Sequence, residues 1–421
     1  MTKIKALLEH HGQKLFLAYF FLGPIFDLIT SLSLHFLGTS MPLILVIKIL
    51  FLGVLFIYAL LVTKNRNQLI FYYGLLIVYF ISFLIIMFQK QDVNTIFYQL
   101  QNLLRTFYFP LCLPSLITLV EENKINVQMK ELVYFLLLYL LLLFIPIVTK
   151  TGFDSYAYSK EGSLGWFHST NEISGIISIL TPYFFLFLWN RKKIISLIFC
   201  LIFIYVCFSI GTKVPILSLA LTLLFLTIYL FAYLWKKNKK NILLKLSGLI
   251  MIGITLLCII VPKTSFYKNI QIHLEFLNIN SFSDLMTFDH IDHFVFSSRL
   301  KFLLNTQENY ENSSPLEKVF GIGYIENYAT DQVNTKTIEM DYYDIFYRHG
   351  VIGTILYCLP FLLLIKRKYT MTTYLSILLI FILAFFSGHI FVAPSVSFLV
   401  AIILTRKEDL NENWFYDRQL Q

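Results

Sequence analysis

The 421-residue chain is 57% hydrophobic and only 14% charged, with a formal net charge of +9. A soluble domain carries roughly 25% charged residues, and the mean hydropathy here is +0.70, which excludes an ordinary water-soluble enzyme. The basic residues stand in short clusters between apolar runs, so they argue for membrane topology and against a nucleic-acid partner.

Apolar runs of roughly 18–22 residues match the length a helix needs to cross ~30 Å of hydrocarbon. In lipid every backbone polar group must be paired internally, so such spans should be helices. A transmembrane barrel would need short alternating segments, and the sequence offers none. In chain order about twelve spans are expected, at 15–36, 41–62, 68–88, 102–120, 131–149, 171–189, 194–210, 214–234, 242–262, 350–365, 371–387 and 390–404. The expected fold class is all-α, a polytopic helical membrane protein with one large extracytoplasmic loop. Three units follow: helices one to nine over 1–261, a loop subdomain over 262–349, and the last three helices with a cytoplasmic tail over 350–421. Lys3, Lys5 and Lys14 precede the first apolar run without a small-residue cleavage site, so that helix is expected to be retained. Cys112, Cys200, Cys207, Cys258 and Cys358 all fall within spans and read as small apolar fillers rather than disulfides or metal ligands.

Charge and loop length test this segmentation. With the N-terminus in the cytoplasm, every second loop is basic: Lys64/Arg66, Lys124/Lys130, Arg191/Lys192/Lys193, Lys236/Lys237/Lys239/Lys240, Lys366/Arg367/Lys368 and Arg406/Lys407. The shorter outer loops hold only Lys90, Lys150, Lys160 and Lys213. That asymmetry obeys the positive-inside rule and puts both termini in the cytoplasm. The connection from Pro262 to His349 is long, faces outward in this topology and is rich in aromatics, so an ordered subdomain is expected. A second outer loop, Lys150 to Thr170, is moderately long and polar. No internal repeat is evident, which counts against a transporter built from two related halves.

Ionisable residues within spans are costly and each is a functional candidate. Asp27 in span one and Lys48 in span two flank a turn at Gly38 to Ser40, at similar depth given ~1.5 Å rise per residue, so they are expected to pair. The pair either locks the hairpin or touches substrate. Arg105, near the outer end of span four, can bind a phosphate bidentately or snorkel to the interface. Asp289-His290-Ile291-Asp292-His293 has the look of metal ligands, but no further Cys/His cluster completes a site.

Five stretches gather on the expected outer side. Gly165-Trp166-Phe167-His168-Ser169-Thr170-Asn171-Glu172 leads into span six. Ser209-Ile210-Gly211-Thr212-Lys213-Val214-Pro215 is a tight turn that sets a cation at the membrane surface. Ser297-Ser298-Arg299-Leu300-Lys301-Phe302 offers Ser297 or Ser298 as the cap of a helix beginning at Arg299. Phe320-Gly321-Ile322-Gly323-Tyr324 is a Gly-x-Gly turn. Glu339-Met340-Asp341-Tyr342-Tyr343-Asp344 runs on through Arg348-His349-Gly350-Val351-Ile352-Gly353 into span ten.

Their order and placement resemble the O-antigen ligase and O-antigen polymerase superfamily, more closely its Gram-positive members, over most of the chain. The resemblance implies a multispan glycosyltransferase acting on glycans carried by polyprenyl pyrophosphate at the outer leaflet of a bacterial plasma membrane. It implies the lipid-linked oligosaccharide and membrane lipid as partners, other polysaccharide-export proteins beside them, and no metal or other cofactor. Asn171 matches an asparagine at the outer start of a span. Lys213 stands where members often have an arginine. Arg299 matches a loop arginine that follows a serine. Gly321 and Gly323 match part of a Gly-x-Gly-x-Gly pattern whose last glycine is replaced by Ile325. Gly350 and Gly353 match the Gly-x-x-Gly that opens the next span. Where the ligases carry a histidine, this sequence has Glu339.

Transfer from a lipid pyrophosphate needs stabilisation of the leaving charge and removal of a proton from the acceptor hydroxyl. Arg299, then Lys213 and Arg105, are the candidates for the first. A carboxylate can serve as general base; Glu339 is the first candidate by its place in the family pattern and Asp341 the second. Asp344 and Arg348, four residues apart, read as a local structural pair, and His349 as either a base or a helix-start residue. Arg299 has the alternative of pairing with a loop carboxylate. Asn171 and Glu172 are positioned to bind sugar hydroxyls or to cap span six. No phosphate-binding glycine loop occurs, so no nucleotide is implied and the donor arrives activated. Polymerase, ligase and lipid-linked oligosaccharide flippase remain as readings, with polymerase favoured by the Glu339 departure.

Overall fold

The computed structural model describes residues 2–38, 42–89, 93–156, 161–189, 193–279, 281, 284–324 and 337–408. Lys90, Lys160, Arg191, Lys192, Ile325 and most of the turn after Gly38 lie outside the described residues. The chain runs through α1 (Thr2–Leu37), α2 (Pro42–Val62), α3 (Arg66–Phe88), α4 (Val93–Thr106), α5 (Tyr108–Glu121) and α6 (Met129–Thr149). It continues through α7 (Thr170–Trp189), α8 (Lys193–Ile210), α9 (Lys213–Lys236) and α10 (Lys240–Ile260). Between the bundle helices lie α11 (Ser265–Phe276), α12 (Phe288–Ile291), α13 (Arg299–Glu311) and α14 (Pro315–Phe320). The last three are α15 (Asp341–Cys358), α16 (Met371–Phe386) and α17 (Pro394–Thr405). Among the described residues, 8 helices are long and apolar enough to cross a membrane, and α8, α16 and α17 add shorter apolar helices. The protein is therefore an all-α, multi-pass membrane protein, as its hydropathy predicts.

α5 and α7 form the centre of the bundle. α5 packs on α2 and α17, and α7 on α6, α9 and α16. Every residue of α7 from Ile173 to Phe184 is buried. Small residues on α7 allow this: a Cβ at Gly175 would stand 2.9 Å from Ile390, and the Ser174 hydroxyl lies 3.0 Å from that of Thr212. In a lipid-immersed bundle, close packing and interhelical hydrogen bonds of this kind hold helices together.

The alternation of helices sorts the loops to two ends. At one end Gln13 donates to the Asn126 carbonyl at 2.6 Å, Lys407 N–H donates to the Asn126 side chain at 2.8 Å, and Arg367 approaches Glu121 at 3.8 Å. The other end carries the segments before α7 and between α10 and α15. There Phe153 N–H donates to Gly165 at 2.6 Å and Ser163 N–H to Ser209 at 2.9 Å. The side-chain amide of Asn269 on α11 donates to the Glu161 and Gly211 carbonyls at 2.6 and 3.1 Å, tying the two segments together.

Four local expectations are corrected. Span four is not one straight helix from 102. It starts at Val93 and breaks at Phe107, because Pro110 has no N–H to give the Thr106 carbonyl and its ring crowds that turn. Span ten begins at Asp341, nine residues before Gly350, where the backbone is non-helical (φ 65°, ψ −168°). That break frees the Tyr347 and Arg348 carbonyls, which accept the N–H groups of Ile322 and Gly323 at 3.1 and 3.2 Å. The approach requires glycine on both sides: a Cβ at Gly321 would stand 2.1 Å from the Arg348 oxygen, and one at Gly350 2.5 Å from the Gly321 nitrogen. The last span starts at Pro394 rather than 390, with proline at the first helical position where a missing N–H costs nothing. Finally, neither Ser297 nor Ser298 caps α13, because both are left-handed (φ 55° and 67°). The Asp292 carboxylate caps it instead, accepting Leu300 and Lys301 N–H at 2.8 and 3.3 Å.

Candidate active site

A cavity of about 310 Å³ opens at the end of the bundle that carries the two long segments. Its lining comes from α1 and α2 (Asp27, Ser31, Lys48), α4 (Gln101, Arg105), the segment before α7 (His168), the first turn of α7 (Glu172) and the turn before α17 (His389). At its floor Lys48 Nζ lies 3.1 Å from Asp27 Oδ1. Ser395 Oγ donates to the same oxygen at 2.6 Å, Lys48 donates to Ser395 Oγ at 2.6 Å, and Tyr139 OH donates to Asp27 Oδ2 at 2.6 Å. The expected Asp27–Lys48 pairing is thus present, with hydrogen bonds that offset the desolvation of two nearly buried charges. It binds α1 and α2 to α6 and α17 and leaves one edge of the ammonium on the cavity.

At the mouth, Arg105 and Glu172 approach to 3.9 Å, with the Arg105 side chain 42% exposed. A pair so long and so wet contributes roughly 0–1 kcal/mol, which leaves the guanidinium free to take an anionic oxygen. The break at Phe107 places Arg105 in the last turn of α4.

Beside this cavity lies a second charged layer. Arg299 Nη2 bonds Glu339 at 3.0 Å and Arg299 Nη1 donates to the Phe386 carbonyl at 2.8 Å. Burial raises the Tyr156 phenol above its ordinary range, while the Arg299 guanidinium pulls it back. Glu339 has φ 62°, and its carbonyl carbon and oxygen pack under Gly388, where a Cβ would stand 2.4 Å from the oxygen. Asp341 is fully buried. Its carboxylate accepts the N–H groups of His389, Ile390 and Phe391 at 2.7, 2.8 and 2.7 Å. Asp341 through its carboxylate, and Glu339 through its main-chain carbonyl and its partner Arg299, therefore hold one turn, 386–391, and that turn carries His389 into the cavity.

Of the residues the sequence singles out, the structure brings Arg105 and Glu172 together on the cavity. Arg299, Glu339 and Asp341 stand behind it. Asn171 adjoins Glu172 without lining the cavity. Lys213 lies elsewhere: its ammonium donates to the Phe294 carbonyl and sits 4.3 Å above the Phe294 ring. Asp344 accepts the N–H groups of Ile338, Glu339 and Met340 at 2.9, 2.9 and 3.2 Å, and Arg348 donates to the Gly323 carbonyl at 3.1 Å. His349 is fully buried, with Tyr79 OH 3.1 Å from Nδ1 and Tyr324 OH 2.7 Å from Nε2. In the run 289–293, Asp289 pairs with Lys301 at 3.2 Å, His290 Nδ1 meets the Asp284 carbonyl, and His293 Nδ1 lies 2.7 Å from Ser298 Oγ. Among the described residues no group of three or more His, Cys, Asp or Glu side chains is placed to hold a metal. Sequence reasoning missed His389 and Gln101. His389 sits in the connector between the last two spans, on the side where the other candidates gather, and that placement was its only signal.

A family model described as O-antigen ligase like membrane protein matches residues 9–290 and 280–407. The chain belongs to that family. Neither a curated protein nor a solved structure matches it. As an O-antigen ligase-like protein it is a membrane enzyme of glycosyl transfer with a lipid-linked glycan as substrate. The cavity combines a loosely held cation, Arg105, with the Gln101 amide, the Glu172 carboxylate and the Asp27–Lys48 pair.

Proposed function

We propose that this O-antigen ligase-like protein polymerises polyprenyl-pyrophosphate-linked oligosaccharide repeats at the outer leaflet of a bacterial plasma membrane, building a capsule, an exopolysaccharide or a cell-wall glycan. Both termini lie in the cytoplasm, so the end bearing the cavity and the 262–349 segment faces outward. The observation that carries the reading is Arg105 at the cavity mouth, 3.9 Å from Glu172, over a floor that keeps Lys48 within the same space. A guanidinium there neutralises the pyrophosphate as it departs. Glu172 and Gln101 take sugar hydroxyls. The floor of Asp27, Lys48, Ser395 and Tyr139 supports an enzyme over a flippase, since a flippase must open its site to both leaflets.

The family description favours a second reading, a ligase that moves a finished glycan to another acceptor. Glycan length in cells lacking the protein separates the two. Single lipid-linked repeats accumulating outside, with no long polymer, support the polymerase. Long lipid-linked polymer left unattached supports the ligase. Repeats trapped on the cytoplasmic leaflet would overturn both.

A further inference from the structure

We propose that His389 is the general base of the transfer, and that Asp341, Glu339 and Arg299 act through it as positioning residues. The assignment presupposes the glycosyl-transfer reading above and names the group that does its proton chemistry.

Among the ionisable groups on the cavity, the others are already paired or more exposed. Asp27 accepts hydrogen bonds from Lys48, Ser395 and Tyr139. Glu172 faces Arg105. His168 is exposed on the segment before α7. His389 lines the cavity and is partly buried, and no described residue hydrogen-bonds its ring nitrogens. Its backbone, by contrast, is fixed. It is left-handed at φ 59°, a conformation a non-glycine residue keeps only where its surroundings enforce it. The enforcement is visible: three N–H bonds to buried Asp341, Gly388 packed on the Glu339 carbonyl, and the Arg299 contact to the Phe386 carbonyl. An imidazole with no hydrogen-bond partner among the described residues, near the buried Asp341 carboxylate and on an over-determined backbone, is the arrangement preorganised proton transfer calls for.

The acceptor hydroxyl oxygen attacks the anomeric carbon of the lipid-linked sugar. Its proton passes to a ring nitrogen of His389 as the bond from that carbon to the pyrophosphate oxygen breaks. The electron pair leaves with the lipid pyrophosphate, whose charge faces Arg105, and the imidazolium later gives its proton to water.

The test is chemical rescue in proteoliposomes holding the full-length protein and polyprenyl-pyrophosphate-linked repeats extracted from cells that lack it. Glycine suits position 389 because of its positive φ, and the mouth of the cavity admits a small solute. His389→Gly is expected to lose ~10²–10⁴-fold in turnover, to keep donor binding, and to recover turnover when imidazole is added. His389→Gln, with similar bulk and no basic nitrogen, stays inactive. Turnover retained by either variant, or a loss that imidazole does not reverse in a protein that still binds donor, overturns the assignment. Wild-type protein inactive on these repeats both alone and with a second glycan acceptor added would instead overturn the glycosyl-transfer reading itself, and the assignment with it.

Discussion

Asp341→Asn tests how the site is held together. Asp341 is fully buried and accepts three backbone N–H groups at 2.7–2.8 Å. Each charge-assisted bond contributes about 1.5–3 kcal/mol. An asparagine can set its oxygen where Oδ2 stands and keep the Ile390 and Phe391 bonds, now neutral and roughly half as strong. Its NH₂ group then meets the His389 N–H, donor against donor, and that bond is lost. The local cost is at least ~3 kcal/mol, so the 389–391 turn should open at least ~100-fold more often. Hydrogen exchange read at the amides of 389–391 should lose about two decades of protection. Turnover should fall through kcat, since a misplacement of ~1 Å in a catalytic group can cost 10²-fold. Unchanged exchange at these amides with unchanged turnover would refute the idea that Asp341 holds the turn.

Other perturbations separate the roles of the remaining groups. Arg105→Ala is expected to cost ~10²–10³-fold in kcat, with Arg105→Lys recovering part of it, in a turnover assay on lipid-linked repeats. Gly350→Ala forces a Cβ to 2.5 Å from the Gly321 nitrogen in a left-handed backbone; a loss of ~1–3 kcal/mol or more should lower the thermal midpoint of the detergent-solubilised protein. Arg299→Ala leaves Glu339 and the Phe386 carbonyl without their donor; Glu339 is about one-third exposed, so ~1–2 kcal/mol is expected, with turnover following through the turn. Lys213→Met should weaken the α9 contact to Phe294 and lower the thermal midpoint, with no shift in donor KM, because the ammonium is held on Phe294 and does not line the cavity.

Much of this fold is legible in the sequence because hydropathy reports what faces lipid. The Asp27–Lys48 pair is legible too: the hairpin arithmetic puts the two at one depth, and the expense of a lone charge there makes pairing the favoured outcome. What hydropathy hides is backbone bonding at a distance. α15 starts at Asp341 although Asp341, Asp344, Arg348 and His349 make its first turns polar, since Asp341, Arg348 and His349 are buried on partners from other segments and Asp344 on the N–H groups of 338–340 just before the helix. The Asp292 cap spans seven residues to Arg299 and matches no local capping spacing. His389 stands beside one glycine in a short connector, and nothing local marks it. Only the carboxylates behind it, nominated by sequence for a different reason, reveal that the turn is built. The break before Pro110 was readable from proline chemistry alone.

The central claim is that this protein joins lipid-linked repeats to one another. The most direct measurement supplies purified protein in liposomes with polyprenyl-pyrophosphate-linked single repeats and no other acceptor, and reads product length by electrophoresis. A ladder of lipid-linked chains growing by whole repeats is expected, strongly reduced by Arg105→Ala. Single repeats that stay single until a different acceptor is added would contradict it.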